Sequence, residues 1–346
     1  MRHRLVAAIA ALALASGIQS MMSAQSAPAR PAVSPARPAA TYAPPRMADG
    51  HPDLSGDWSF ATITPLQRPA NLGDKATYTP EEAAALEKQV AAASVQDENR
   101  QKGTAADVSR AYNDGWYDRG TKVVGTKQTS LIIDPPNGRI PPLTAEAQAR
   151  QGRGRGGAAA AGNTGRGPAD GPESRSLGER CIIGFNAGPP FLSSAYNNNI
   201  TLVTTADYAV IQTEMVHDTR IVSLTRKEHL PASIRSWMGD SIGHWEGDTL
   251  VVETTNFSEK NIPQRATINV KLIEKFTRTG PDSINYEFTL IDPATWTAPW
   301  TARVPMEKLP PDQHVYEYAC HEANYGMEGI LKGARADDKA AADAAK

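Results

Sequence analysis

A chain of 346 residues with 36 basic and 38 acidic side chains carries a formal net charge of only −2. That balance excludes the electrostatic footprint of a nucleic-acid or anionic-membrane binder. The length allows one large or two ordinary domains, and 26 Pro with 27 Gly give turns and loops a large share of the chain.

The N-terminus reads as an export signal. Arg2, His3 and Arg4 precede the apolar run LVAAIAALALASGI of residues 5–18, and small residues from Ala24 to Ala27 offer cleavage sites. The run falls short of the roughly twenty residues of a membrane span. No Cys follows it for lipidation, and His3 interrupts an Arg–Arg pair. The expectation is a signal peptide over residues 1–24 and a soluble periplasmic or secreted protein. Residues 25–50 are Pro/Ala-rich and read as a linker that cannot bury a core.

The folded part is expected from HPDLSGDWSF, residues 51–60, where Trp58 and Phe60 share one side of a first strand. Residues 79–102 form the clearest helix. Thr79 caps it, Pro80 suits its first position, Glu82 completes a capping box, and Leu86 and Val90 supply an apolar stripe. YNDGWYDRG, residues 112–120, is an aromatic loop, and TSLIIDPPNGRIPPLT, residues 129–144, is a short buried strand entering a Pro-Asn-Gly turn. Residues 151–172 are Gly/Arg/Ala-rich low complexity. An RGG-like run can bind RNA elsewhere, but in this near-neutral chain it reads as a flexible loop. It separates an irregular portion, 51–150, from a regular one, 173–335, with 336–346 as a disordered tail.

From about residue 197 the pattern alternates with period two. NITLVTT, AVIQTEMV and IVSL are strands, with HDTR a tight turn. HLPASIRSWMG, residues 229–239, breaks the alternation as one or two helical turns. GHWEGDTLVVETTNF is a hairpin turning at Glu246, Gly247 and Asp248. INVKLIEKFTRT puts Ile268, Val270, Leu272 and Phe276 on one face; INYEFTLID does the same with Ile284, Tyr286, Phe288 and Leu290. HVYEYACHE, residues 314–322, reads as the last strand. Consecutive hairpin-linked strands make an antiparallel meander, and closing it hides its edges. The fold class is therefore mainly β: a calycin- or lipocalin-like barrel, with a β-sandwich as the alternative and a short helical portion at the N-terminal side. A barrel of about eight strands can hold one small ligand.

Cys181 and Cys320 are an even pair, which in an oxidising compartment favours a disulfide. The sharper alternative makes Cys320 a metal thiolate beside His321. His244 and Glu246 share a strand face, as do Glu317 and His321, while Glu274 falls on the apolar side of its strand with Leu272 and Phe276. His244, Glu246 and His321, supported by Glu317 or His217, form a candidate divalent-metal set. The spacing matches no HExxH or facial-triad pattern, and no other cofactor is implied. His244, Glu274 and His321 form a candidate metal-free acid–base set, since a carboxyl facing an apolar lumen keeps its proton more readily. Trp245, Tyr286, Trp296, Trp300 and Tyr316 are candidate ligand-contacting aromatics. Trp296 and Trp300 suit either a barrel mouth or packing on the 79–102 helix. Each of these residues also has an ordinary structural reading as a turn, core or rim residue.

PDLSGDW, YNNNITLVTT, EMVHDTRIV, HLPASIRSWMGDSIGHWEGDTLVVETTNF, ATWTAPW and YEYACHEANYG together resemble a family of exported bacterial proteins without an assigned activity. The resemblance covers most of residues 51–335 apart from the low-complexity insert. It implies export and implies no reaction. The expected functions are an exported barrel that binds a small apolar, aromatic or sugar-derived molecule or, alternatively, a hydrolase or lyase using a His/Glu site. An envelope structural protein is a third class. No G-x-S-x-G motif or phosphate-binding Gly loop occurs. No nucleic-acid partner or membrane span is expected, and the oligomeric state stays open.

Overall fold

The computed structural model describes residues 42–94, 103–104, 118–150, 169–322 and 324–344. The expected signal peptide, the first part of the expected Pro/Ala linker, the end of the expected 79–102 helix, most of the expected 112–120 loop and nearly all of the low-complexity segment lie outside the described residues.

The chain is mainly β and closes into a nine-stranded mixed barrel. Its strands are β1 (Gly56–Ser59), β2 (Ile132–Asp134), β3 (Asn199–Thr204), β4 (Tyr208–Thr213), β5 (Thr219–Ser223), β6 (Asp240–Glu246), β7 (Thr249–Thr255), β8 (Lys271–Gly280), β9 (Ser283–Ile291) and β10 (Trp300–Lys308). The ring runs β1-β3-β4-β5-β6-β7-β8-β9-β10 and closes where Trp58 faces Lys308 and Ser59 faces Glu307. Strand β2 lies outside the ring and pairs with β10 at Thr301 and Ala302. The barrel therefore takes β1, and the strand β2 added outside it, from the portion read as irregular.

Sequence alternation translates into burial. Leu272, Glu274 and Phe276 of β8, Ile284, Tyr286, Phe288 and Leu290 of β9, and Trp300, Ala302, Val304 and Met306 of β10 all face inward and are buried. Their rings run in an unbroken chain of contacts from Phe276 through Tyr286 and Phe288 to Trp300, at centroid spacings of 4.9, 6.0 and 5.7 Å. The β6–β7 hairpin turns as expected: Glu246 faces Thr249, and Gly247 takes φ 58°, as the first central residue of a two-residue hairpin loop must. The helix α1 (Pro80–Ser94) starts on the expected capping box. The Thr79 N–H donates to Glu82 Oε2 at 2.8 Å, and the Glu82 N–H donates to Thr79 Oγ1 at 3.2 Å.

Four expectations are corrected. First, the barrel is not a pure antiparallel meander: β5 and β6 are parallel, meeting at Ser223 and Ile242. Parallel neighbours need a crossover, and the stretch 224–239 supplies it. That stretch holds turns and a bridge from Ser236 to Phe257, and no helical turn. Second, residues 314–322 are not a strand. The last strand is β10, whose alternation is interrupted by Pro305. The Arg303 N–H reaches the Leu131 carbonyl beside β2, so Pro305, two residues on, faces the same side. It lies between the stretches paired with β2 and β1, where no ladder N–H is needed. Third, the stretch read as a disordered tail from residue 336 is helical to Ala344, as part of α2 (Tyr325–Ala344). Fourth, the side chains facing the lumen are large and pack ring on ring, rather than lining a wide open interior, among the described residues.

The weakest backbone closure is the β5–β6 seam, which has a single register pair. Side chains cross it from inside. The Arg220 guanidinium on β5 forms a two-pronged ion pair with Glu274 on β8, with Nη2 to Oε1 at 2.9 Å, and donates to Thr254 Oγ1 on β7 at 3.4 Å. The Tyr286 hydroxyl on β9 donates to Glu274 Oε1 at 2.9 Å and accepts the Phe191 N–H at 3.2 Å. Thr254 and Ser241 hydroxyls meet at 2.9 Å and bring β6 into the same network. Burial alone would lower the Arg220 pKa, but the adjacent Glu274 outweighs it and the guanidinium stays above its ordinary value.

Removing one partner of such a pair leaves a buried, uncompensated charge and costs about 3–5 kcal/mol, whereas replacing both with apolar groups costs far less. Arg220→Met is therefore expected to lower unfolding stability in urea by about that amount. The double change Arg220→Met/Glu274→Met should recover a large part of the loss. A double variant less stable than the single would overturn this account.

Candidate functional site

The structure does not bring the sequence-predicted site residues together. His244 and Glu246 share a face of β6, as expected, but it is the outer face. His244 is 56% exposed and lies 3.3 Å from Glu246, which also pairs with Lys275. The His244 and Lys275 contacts hold the Glu246 carboxyl below its ordinary range. Glu274 is sealed inside the barrel and bound to Arg220. His321 stands on an exposed turn after Cys320. The convergence required for the acid–base set and for the metal set is therefore missing. Among the described residues, no group of three or more His, Cys, Asp or Glu is arranged to hold a metal ion.

The predicted ligand aromatics are also dispersed. Tyr286 and Trp300 are buried in the barrel core, and Trp296 packs edge-on against Trp300 at 5.7 Å. Trp245 is partly buried at the opposite end of the barrel, stacked on His51 with centroids 5.0 Å apart. Tyr316 borders a small cavity of about 350 Å³ shared with His217, Glu317, Thr201 and Gln212.

The sequence reading missed two arrangements. His229 is held by Asp240 at Nδ1 (2.8 Å) and lies 3.3 Å from Glu253 at Nε2. The Nδ1 bond to Asp240 pins the crossover to the barrel wall, while Nε2, though near Glu253, is buried without a hydrogen-bond partner among the described residues. The second arrangement is a cavity of about 900 Å³ at the barrel end where β4 turns into β5.

Chain segments far apart in sequence build this cavity. Residues 173–185 form a strap, Met215 and Val216 form the floor, Lys260 and Asn261 come from the loop after β7, and Tyr318 comes from the stretch after β10. The Cys181–Cys320 disulfide joins strap and C-terminal stretch across 139 residues. It suits an oxidising compartment outside the cytoplasm. Among the described residues no helix is long and apolar enough to cross a membrane. The C-terminal stretch lies over Thr201 and Gln212 on the outer wall. Near the disulfide it is further tied by His217 Nδ1 donating to the Tyr318 carbonyl at 3.0 Å and Asn324 Nδ2 donating to the Glu179 carbonyl at 2.9 Å.

The floor is conformationally strained. Val216 and His217 are consecutive residues at φ 61° and 47°. For a β-branched residue such as Val216 that is a true outlier, and such outliers cluster at functional sites. The turn is clamped by the Thr213 N–H donating to the Asp218 carbonyl at 2.8 Å and the Glu214 N–H to the Asn199 carbonyl at 3.1 Å. Met215 fills the space above Gly184, where a Cβ would sit 1.9 Å from Met215 Cγ. Glu214 and Asp218 flank the turn. Burial pushes the Glu214 carboxyl up, against an Asn199 amide bond at 2.8 Å. Burial pushes Asp218 up to about 6, although it accepts the Gly184 N–H and His217 lies nearby. Asp218 Oδ2 is buried without a hydrogen-bond partner among the described residues. Neither carboxyl lines the cavity itself; both adjoin its floor through the 215–216 turn.

No protein-family model matches the chain, and no curated protein matches it either. The fold defines a closed β-barrel protein with a strapped cavity at one rim.

Two outcomes follow. The folded state keeps the Asp218 proton up to about pH 6, while its ordinary value is 3.8. The unfolded chain thus binds fewer protons across that window, and this group's contribution to stability falls as pH rises from about 4 to about 6. The stability difference between Asp218→Asn and the parent should grow in favour of the variant over that window and be flat above it; a pH-independent difference would refute this. Second, reducing Cys181–Cys320 should cost about 2–5 kcal/mol. It should raise amide exchange in 314–320 while β8 and β9 stay protected, and uniform exchange across all three would refute the strap's local role.

Proposed function

We propose that this is an exported binding protein whose small-molecule site is the rim cavity, with the barrel as its rigid support. The observation that carries the reading is the contrast between the two spaces. The lumen is filled by an aromatic chain and an internal ion pair, whereas the rim cavity, at about 900 Å³, falls in the size range of ligand pockets. Its wall mixes apolar groups (Leu177, Ile183, Phe185, Met215, Val216) with a few polar ones, the composition that small-molecule sites share. Phe185 is 57% exposed there and packs edge-on against Tyr196, offering an aromatic face to a ligand. Export rests on the N-terminal signal pattern and the resemblance to exported proteins, and the disulfide agrees with it.

A hydrolase or lyase with a His/Glu site inside the barrel finds less support. No His is among the buried residues described, and the lumen's carboxylate, Glu274, is already taken by Arg220 and Tyr286.

The test is a panel of apolar, aromatic and sugar-derived compounds screened by thermal shift on the full chain. At saturation a true ligand should raise Tm on the order of 5 °C. Phe185→Ala and Tyr318→Ala should each weaken that ligand while leaving the unliganded Tm within a degree or two. A panel without any shift, or a ligand indifferent to both changes, would overturn the rim-cavity reading.

A further inference from the structure

Charge on the cavity wall narrows the ligand class, given the rim cavity as the binding site. The wall carries Arg175, Arg180 and Lys260 against Glu173 and Glu179. Arg175 and Glu179 are four residues apart and pair with each other, and Glu179 is further bound by the Ser176 N–H at 2.9 Å and the Ser176 hydroxyl at 2.9 Å. That pair is internally neutral. Two cations remain against a single carboxylate, Glu173, which is exposed at the edge.

Arg180 is the sharper of the two. It directly precedes Cys181, so the disulfide fixes where its backbone stands. It is half-buried, and among the described residues no hydrogen bond or ion pair reaches its guanidinium. A partly desolvated cation with no counter-charge is unfavourable unless something else supplies one. Lys260 faces the same cavity from the loop after β7, and its ammonium also lacks a partner among the described residues. The two arrive from independent segments, strap and barrel loop, so their meeting at one cavity is a product of the fold and not of local sequence. The same cavity is also lined by the apolar side chains of Phe185, Met215 and Val216 and by the phenol of Tyr318.

We infer that the ligand is a small organic anion, an aromatic or apolar body bearing one carboxylate, with Arg180 and Lys260 taking the carboxylate and the Phe185–Met215–Tyr318 wall taking the body. A planar guanidinium matches a carboxylate in two-point geometry, and the surplus of one positive charge on the wall matches a monoanion. Neutral and cationic analogues of the same body keep the apolar contacts and lose the charge-assisted ones.

The experiment is isothermal titration of the full chain with three compounds of one shape: naphthoate, naphthylmethanol and naphthylmethylamine. Naphthoate should bind about tenfold tighter than the alcohol, the scale of one charge-assisted hydrogen bond, and the amine should bind weakest. Raising salt should narrow the gap between naphthoate and the alcohol. Arg180→Met and Lys260→Met should each cut the naphthoate preference several-fold while the alcohol's affinity stays level. Lys260 is exposed, so its replacement tests the idea even where Arg180→Met folds poorly. An alcohol that binds as well as naphthoate, or a preference unmoved by both changes, would overturn the anion class and leave the rim cavity standing as a binding site. Failure of all three compounds to bind would count against both.

Discussion

The barrel depends on an ion pair inside its own lumen. Backbone pairing carries the ring almost everywhere, but β5 and β6 share one register pair. At that seam the Arg220–Glu274 pair, extended by Tyr286, Thr254 and Ser241, does what a hydrogen-bond ladder does elsewhere. A buried ion pair is a poor source of net stability compared with apolar packing. Its value here is directional. An aromatic core tolerates many packings, whereas a two-pronged guanidinium–carboxylate contact with a tyrosine at its side accepts one. It sets how β5 stands relative to β8 and β9, and thus fixes the ring's circumference.

The rim cavity inherits that rigidity. Arg220 lies two positions after Asp218, and Asp218 ends the strained turn that forms the cavity floor. Each residue held at such a conformation costs on the order of 1–3 kcal/mol and survives only where its surroundings over-determine it. The surroundings here are specific: Gly184 beneath Met215, the Thr213 and Glu214 backbone bonds, and the Tyr318 carbonyl on His217. The last of these comes from the C-terminal stretch, and the disulfide holds that stretch in place. Lumen, floor and strap are therefore three consecutive supports, each fixing the next.

Much of this was legible in the sequence, and the failures have physical causes. The inward sets of β8 and β9 follow from period-two alternation because every inward side chain is large and buried. The capping box of α1 and the β6–β7 hairpin are local, so a few residues suffice to specify them. Strand β10 escaped notice because Pro305 and the flanking tryptophans resemble a loop, and only the gap between β2 and β1 explains why proline fits there. Residues 314–322 deceive in the other direction: YEYAC alternates, but its side chains pack along an outer wall and no ladder forms. His244 and Glu246 show the limit of period arguments. Alternation says that two residues share a face, not whether that face is in or out; Ser241, Gly243 and Trp245 form the inward set, and only the partly buried Trp245 is apolar enough to announce it. The rim cavity could not be read at all, since it joins residues 173–185, 215–216, 260–261 and 318. The partial signal was the pair of cysteines, which tied two of those segments together before any fold was known.

A small barrel has two ways to present a cavity, within or beside its lumen. An interior kept open must leave its lining side chains short, and this one does the opposite: Phe276, Tyr286, Phe288 and Trp300 project inward from adjacent strands. Filling the lumen makes the barrel stiff and leaves the proposed recognition role to the connections at its rim, where chain can vary without disturbing the core. Loops alone would be too loose to keep a guanidinium and an ammonium at one cavity. The disulfide and the clamped turn remove that looseness by tying the strap to the C-terminal stretch and the floor to β4 and β5. The aromatic core and the cationic rim are in this sense one design, since the packing that closes the lumen to a ligand also steadies the wall that can receive one.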